Sequence, residues 1–385
     1  MARYKPLSPD QMSGEHKTVY DDIAASRGRV GGPFPLLLHN PGLASAAERL
    51  GGYARFESRI EPRLLEFAAA ILARFWGAHV EWIAHSRMAL EAGLDPAILD
   101  ALRDGRPPDF VNEDEEAIYD FLMFLLNTSQ IDDSVYGRCL ETLGMRGLID
   151  LMAIVTHYTV INMSLNCFRV PAPEGAEIPA FGPGRDAPPR VAPMKAGKRL
   201  RARIEPLRRE DMNEEQAAAY DEVAEKGGRL GGPNGIYIRV PQLFRLHQAV
   251  GNYLRAGHLS PRLRQLAAIV AARHWNGAYA WGAQARDALK AGISCEIVDA
   301  INERRTPVFD DFSDQAAYDA AVEITDTGSL SDAAFAAAHA ELGFNALLDL
   351  VAMTSFYTAV SLAVNVFAVE PRPEFPVQLA PDRKG

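Results

Sequence analysis

Residues 62–93 read PRLLEFAAAILARFWGAHVEWIAHSRMALEAG, and this stretch decides the fold. Pro62 stands at a first helical position, where proline is well tolerated, and strong helix formers follow it. Apolar residues then recur at spacings of three and four, the period of an α-helix that buries one face. Gly93 is well placed to stop a second helix. The stretch therefore predicts two consecutive helices that pack as a hairpin.

The remainder of the first half is also predicted to be helical. Asp95 is a candidate N-cap and Gly105 a candidate stop for a short third helix. Three more stretches are typical of helices, at residues 112–129, 132–144 and 148–168. The last of them is apolar nearly all round, which indicates a buried helix. No sustained strand alternation is present, so the sequence predicts an all-α fold with about six helices per bundle.

The chain contains the same segment twice, and internal repeats of this kind define a fold. Three stretches of the first half match three of the second in the same order: 27–43 with 227–243, 61–79 with 260–278, and 148–170 with 347–369. Between the copies the sequence is rich in Pro and Gly without an apolar period, which is typical of an extended linker. The predicted organisation is a repeat at 1–172, a linker at 173–204, a second repeat at 205–370 and a tail at 371–385.

Composition excludes several classes of protein. The 385 residues suit two domains, and a net charge of −10 without a basic stripe predicts no nucleic-acid partner. We expect no signal peptide and no membrane segment, because no apolar run is predicted to reach the length of a span. The three cysteines are odd in number and far apart, which argues against a disulfide framework or a zinc site. The sequence therefore predicts a cytoplasmic protein.

One set of titratable residues could carry chemistry. Glu81 and His85 are four residues apart and so share a helix face, and Glu66 interrupts the apolar face of the preceding helix. Burial of such a carboxylate beside an imidazole would make a proton-transfer pair. Three further residues could line the same region: Arg74, His79 and His157.

The second copy keeps the packing residues of this hairpin and lacks its titratable set. Residues 66, 81, 85 and 157 correspond to Gln265, Ala280, Gln284 and Phe356. Glutamine keeps size and hydrogen bonding but cannot exchange a proton. The repeat therefore predicts that one half holds the reactive groups and the other is a structural partner.

At these residues the sequence resembles the carboxymuconolactone decarboxylase and alkylhydroperoxidase D superfamily. Three stretches carry the resemblance: GGPFPLLLHNPGL, PRLLEFAAAILARFWGAHVEWIAHSRMALEAGL and LIDLMAIVTHYTVINMSLNCFRVPAP. The resemblance covers nearly all of residues 10–172 and, more weakly, 205–370. It implies an all-α fold, assembly into homo-oligomers and an active site in a helical pocket near a subunit contact. Because the halves are fused, it also implies that they pack as a pseudo-dimer.

The superfamily has a thiol peroxidase branch and a decarboxylase branch. The peroxidase branch carries a Glu and then Cys-x-x-Cys-x-x-x-His, and the matching positions here are Glu66, Ala78, Glu81 and His85. Both thiols are missing, so thiol peroxidase activity is not expected. The decarboxylase branch keeps the Glu and the His. The resemblance therefore implies a cofactor-independent lyase that decarboxylates or isomerises a small carboxylated lactone or related acid.

The resemblance also assigns roles to residues. His85 would be the general acid/base, Glu66 its partner or a second proton carrier, and Glu81 would orient His85 or shape the pocket. Arg74 or His79 would hold a substrate carboxylate. No metal and no cofactor are expected, because the substrate's own carbonyl can delocalise the charge.

Other interpretations stay open at the level of sequence. The same Glu/His pair is compatible with hydrolysis or dehydration, since one fold hosts several reactions. A metal-dependent enzyme would use His79, Glu81 and His85, but side chains six residues apart diverge by about 120° on a helix. A non-catalytic binding or assembly protein is the main alternative.

Overall fold

The computed structural model describes residues 2–182, 203–225 and 230–381. Over these residues the chain forms seventeen α-helices and no β-strand, so the predicted all-α class is confirmed. The chain divides into two compact units, Met1–Lys198 and Arg199–Gly385. The packing of the two halves as a pseudo-dimer stays a prediction, as does the predicted homo-oligomer.

The described part of the first unit contains eight helices, after a short 3₁₀ turn at Pro9–Gln11. They are α1 (Glu15–Arg27), α2 (Phe34–Leu37), α3 (Pro41–Phe56), α4 (Pro62–Trp76), α5 (His79–Glu91), α6 (Pro96–Arg103), α7 (Glu113–Thr128) and α8 (Asp133–Cys167).

The described part of the second unit contains nine helices in an equivalent order. They are α9 (Glu214–Ala224), α10 (Pro233–Tyr237), α11 (Pro241–Ala256), α12 (Pro261–His274), α13 (Ala278–Lys290), α14 (Cys295–Asn302), α15 (Phe312–Thr327), α16 (Asp332–Leu342) and α17 (Phe344–Val366).

The hairpin predicted from residues 62–93 is formed by α4 and α5. Helix α4 begins at Pro62 and is capped at its C-terminus by Gly77, whose φ of +67° is in the left-handed region that glycine favours. Nearly every side chain of α4 from Leu64 onward is buried, because the helix packs against α5, α7 and α8 at once. The hairpin is thus the centre of the first unit, and residues that it carries are held rigidly.

The last two helices predicted for the first repeat are joined in one long element. Within α8, Gly144 has φ +67° and ψ 171°, which breaks the helix locally. The second unit breaks at the equivalent Gly343, with φ +77° and ψ 171°, and there α16 and α17 are separate helices. The predicted boundary between residues 144 and 148 therefore corresponds to a real bend.

The sequence analysis missed the helices at the start of each repeat. Helices α1, α2 and α3 precede the hairpin, so the units hold eight and nine helices in the described residues instead of about six. Glycine and proline interrupt the apolar period in this region, as at Gly51 and Gly52 within α3, and weaken the helical pattern. This omission affects the site, because α1 and α3 supply part of its wall.

In each unit a buried aspartate joins two helices, α3 to α8 in the first unit and α11 to α17 in the second. In the first unit, the hydroxyl of Tyr53 donates to Asp150 Oδ1 at 2.5 Å, and the Arg59 amide donates to Asp150 Oδ2 at 3.0 Å. In the second unit, Tyr253 donates to Asp349 Oδ1 at 2.7 Å. Because a buried charge is costly without such donors, this contact fixes how α3 lies on α8 and how α11 lies on α17.

Two helices of the described residues, α8 and α17, are long and apolar enough to cross a membrane by length and composition alone. The expectation that no apolar run reaches this length is therefore wrong for them. The relevant windows are 100% and 94% buried inside the protein. Such burial is typical of a core helix, and the absence of a membrane partner stays a prediction.

The segments predicted as linker and tail pack on their units where the structure describes them. Phe181 stacks on the His79 ring with the centroids 4.4 Å apart. In the second unit, Phe375 lies edge-on to Tyr279 with the ring centroids 5.4 Å apart. Residues 183–202 of the predicted linker lie outside the described residues.

We predict that Gly51→Ala destabilises the protein and that Gly52→Ala does not. A Cβ at position 51 would lie 2.5 Å from Cε1 of His157, whereas a Cβ at position 52 would meet only Glu48 Oε1 at 3.9 Å. Overpacking of this kind costs about 1–3 kcal/mol, while alanine in an open helical position is neutral or stabilises by up to about 1 kcal/mol. Urea denaturation of both variants measures the difference. Equal stabilities would mean that α3 and α8 are not in close contact at Gly51.

Candidate active site

A single buried imidazole lies between two carboxylates on the α4–α5 hairpin. His85 Nδ1 is 2.5 Å from Glu66 Oε2, and His85 Nε2 is 3.0 Å from Glu81 Oε2. Glu66 comes from α4, while Glu81 and His85 are one turn apart on α5. All three are buried, with exposed fractions of 8%, 6% and 4% for Glu66, Glu81 and His85. The structure thus brings together the three residues that the sequence analysis assigned to catalysis.

The two carboxylates hold a proton on His85. Burial by itself would lower the pKa of this imidazole, but the hydrogen bonds and charges of Glu66 and Glu81 outweigh it and raise the pKa to about 9. At neutral pH the ring is therefore an imidazolium that donates from both nitrogens. Such a group can donate one proton to a reacting atom of a bound molecule.

The imidazole faces a cavity of about 410 Å³. This volume is in the range of small-molecule sites. Glu81 and His85 line it, whereas Glu66 lies behind His85. Tyr158 lies edge-on to the His85 ring, with the centroids 4.7 Å apart, and closes the wall on the α8 side.

Arginines also line this cavity, and the sequence analysis missed them. Arg27 follows from α1, Arg29 from the loop after it, and Arg55 from α3. A guanidinium nitrogen of Arg55 is 3.9 Å from Glu66 Oε1, and Arg27 Nε is 3.6 Å from Glu48 Oε1. One signal was available in the sequence, since Arg55 recurs as Arg255 within the aligned repeats. The cavity therefore combines a proton donor with cationic groups.

His157 also lines this cavity, as expected, but in a neutral form. Burial, together with the nearby charges of Arg27, His85 and Arg55, lowers its pKa to about 3. It packs against Gly51 of α3. An imidazole that stays neutral near two arginines can accept or donate a hydrogen bond without adding charge.

Arg74 and His79 lie away from the cavity. Arg74 Nε donates to the backbone oxygens of Leu102 and Arg103 at 3.1 and 3.0 Å, and its terminal nitrogen donates to the oxygen of Gly182 at 2.9 Å. His79 stacks on Phe181. The sequence analysis expected both to hold substrate, whereas the structure places both where the chain after α8 packs on the hairpin.

The donor arrangement gives no support to the metal-dependent alternative. Both ring nitrogens of His85 already face carboxylate oxygens, and His79 points to a different neighbour. Within the described residues, no group of three or more His, Cys, Asp or Glu side chains is placed to hold a metal ion.

Residues 241–323 match the sequence profile of the Carboxymuconolactone decarboxylase family. This match supports the superfamily to which the sequence analysis assigned the chain. It lies in the second repeat, where the sequence analysis expected the weaker resemblance. No curated protein matches the chain.

We predict that His85 titrates near pH 9 and that its pKa falls by at least about one unit in Glu66→Gln, because the variant removes one of the two carboxylates that hold the proton. NMR of the imidazole resonances measures both values. The matched control is Gln265→Glu at the equivalent position of the second repeat, which should leave His85 unchanged. Titration near the value of a free histidine in both proteins would contradict the buried pair.

Proposed function

We propose that this chain is a cofactor-independent lyase of the carboxymuconolactone decarboxylase type. The family match at residues 241–323 supports this proposal at the level of the superfamily. Its substrate would be a small carboxylated lactone or a related acid, and the reaction decarboxylation or isomerisation. The proposal rests mainly on one observation, the buried His85 held between Glu66 and Glu81 at the wall of a cavity of about 410 Å³.

The cationic wall suits an anionic substrate. Arg55 and Arg27 line the same cavity as the acid and can bind carboxylate oxygens through paired N–H groups. Arg55 is partly exposed, with 27% of its side chain accessible, so a ligand can reach it. We therefore assign substrate binding to these two residues in place of Arg74 and His79.

The proposed step needs only groups that are present. The bond between the substrate carbon and its carboxylate breaks, CO₂ leaves, and the electron pair moves into the conjugated lactone carbonyl to form a dienolate. Arg27 and Arg55 stabilise that developing negative charge. The proton of His85 Nε2 is then transferred to carbon, and solvent restores the imidazolium afterwards. Glu81 holds this proton at the cavity wall, and Glu66 holds the Nδ1 proton and fixes the ring.

The main alternative is a protein that binds a small acid without converting it. The cavity and its arginines would serve binding equally well, and only the Glu66–His85–Glu81 set distinguishes the two functions. The experiments below separate them, because turnover requires the proton and binding requires the arginines.

We predict that the protein releases CO₂ from carboxymuconolactone or from another member of a panel of carboxylated lactones. His85→Gln should lower kcat by about 10² to 10⁴, the usual contribution of a general acid. The wild-type rate should fall as the pH rises through about 9, because His85 then loses the proton that it donates. The control His274→Gln, at the end of α12 in the second unit, should be unaffected. Saturable binding of such acids with no CO₂ release would favour the binding protein.

We further predict that two arginine variants affect different properties. Arg55→Gln should raise KM at least about tenfold with little change in stability, because it removes a charge from the cavity wall. Arg74→Gln should lower the free energy of unfolding by about 1–3 kcal/mol per lost buried bond and leave KM unchanged, because its donors satisfy backbone oxygens. Steady-state kinetics and urea denaturation measure both effects. The reverse pattern would restore Arg74 as the substrate anchor.

A further inference from the structure

The second unit has a cavity of its own, of about 480 Å³, on the face equivalent to the first site. Four cationic side chains line it: Arg255, Arg286, Lys290 and Arg372. No aspartate or glutamate is among its lining residues within the described part of the chain. This cavity is therefore richer in uncompensated positive charge than the first.

The excess charge follows from the substitutions between repeats. The carboxylates at positions 66 and 81 are replaced by Gln265 and Ala280, while the arginine at position 55 is kept as Arg255. In the first unit Arg55 lies 3.9 Å from Glu66. In the second, Arg255 donates to the neutral Asn252, and no ion pair joins it to a carboxylate of the described residues. The second repeat therefore lacks both glutamates of the first site but keeps the arginine that lies near them.

The other three cations are only partly compensated. Arg286 Nε lies 2.9 Å from Asp287 Oδ1, and Lys290 shares the same carboxylate at 3.6 Å. Arg372 is 3.9 Å from Glu374. Two carboxylates outside the cavity wall thus face three of the cations, and Arg255 has no acidic partner among the described residues.

A buried histidine at this cavity has one ring nitrogen without a hydrogen-bond partner among the described residues. His247 lines the cavity with 5% of its surface exposed, and the nitrogen concerned is Nε2. Burial lowers its pKa to about 3, with Arg255 contributing, so the ring is neutral at pH 7. A buried polar nitrogen without a partner costs free energy, which a ligand atom can recover. The equivalent residue of the first repeat is Ala47, so this group belongs to the second cavity alone.

Aromatic side chains supply an apolar wall beside these polar groups. The His247 ring packs between Tyr237 and Phe356, with centroid distances of 4.4 and 4.9 Å. Phe356 and Tyr357 of α17 also line the cavity. The lining therefore suits a molecule with a flat or apolar body and one anionic end.

We infer that the cavity of the second unit binds a small organic carboxylate, with Arg255 and His247 as its polar anchors, and does not convert it. Arg255 supplies the charge, and the Nε2–H tautomer of His247 donates to a carboxylate oxygen. Gln284 and Ala280 occupy the positions of His85 and Glu81, so this site lacks the acid–base pair of the first. The inference stands on residues of the second unit and does not depend on turnover in the first.

The test is a titration of the full-length protein with benzoate, a carboxylate with an apolar ring. The imidazole resonances of His247, assigned by comparison with His247→Gln, should shift saturably with a dissociation constant of about 1 mM or lower. Benzamide has the same shape without the charge and should bind at least about tenfold more weakly. An absence of any His247 response up to about 10 mM benzoate, or equal binding of benzamide, overturns the inference.

Matched variants test whether Arg255 binds the carboxylate of benzoate. Arg255→Gln should weaken the response of His247 at least about tenfold, and Arg55→Gln, the same change in the first unit, should leave it unaltered. Gln265→Glu places a carboxylate at the position that faces the arginine in the first repeat, and should weaken benzoate binding severalfold. Arg255 is exposed, so its variant is expected to fold, and circular dichroism checks this. An unchanged response in Arg255→Gln contradicts the assignment.

Discussion

The first site depends on the mutual compensation of charges that are out of contact with water. An imidazolium with 4% exposure is stable because Glu66 and Glu81 each take one of its protons in a hydrogen bond. Removing one member of such a set leaves an uncompensated buried charge, which typically costs 3–5 kcal/mol. The three residues are therefore coupled energetically. This coupling explains why the second repeat lacks all three, because Gln265, Ala280 and Gln284 form a set without charge.

The two units share the hydrogen bonds that fix the positions of their helices. The Tyr53–Asp150 contact has its counterpart in Tyr253–Asp349. Asn166 and Asn365, near the ends of the core helices, donate to the backbone oxygens of Trp76 and Trp275 at 2.7 and 2.8 Å. These bonds satisfy backbone oxygens at the C-terminal ends of α4 and α12. Without them, those oxygens would lose a hydrogen-bond partner, which costs free energy. The scaffold can therefore persist while the charged groups on one of its faces change.

The sequence predicted the parts of the site that depend on local periodicity. Glu81 and His85 share a face because of their spacing, and Glu66 was recognised because a carboxylate interrupts an apolar helix face. The residues that were missed lie on α1 and α3, where Gly51, Gly52 and several prolines hide the helical period. Arg27 and Arg55 reach the cavity only through the packing of α1 on α3 and of α3 on α8. No spacing rule relates residues so far apart in the chain, so their roles required the structure.

The placement of Arg74 shows why comparison of the two repeats was not enough to assign the arginines. An arginine near a Glu/His pair suggests a carboxylate anchor, but this arginine is kept as Arg273 in the repeat that lacks the pair. In both units it donates to the backbone at the end of the following short helix, through Leu102 O in one and Asn302 O in the other. A group kept for such bonds serves the fold. Arg55 is also kept, as Arg255, yet its guanidinium lines a cavity in each unit and satisfies no backbone oxygen there. Retention alone does not separate the two arginines. The atoms that their guanidinium groups contact do separate them, because those of Arg74 are backbone oxygens and those of Arg55 are side-chain atoms at the cavity.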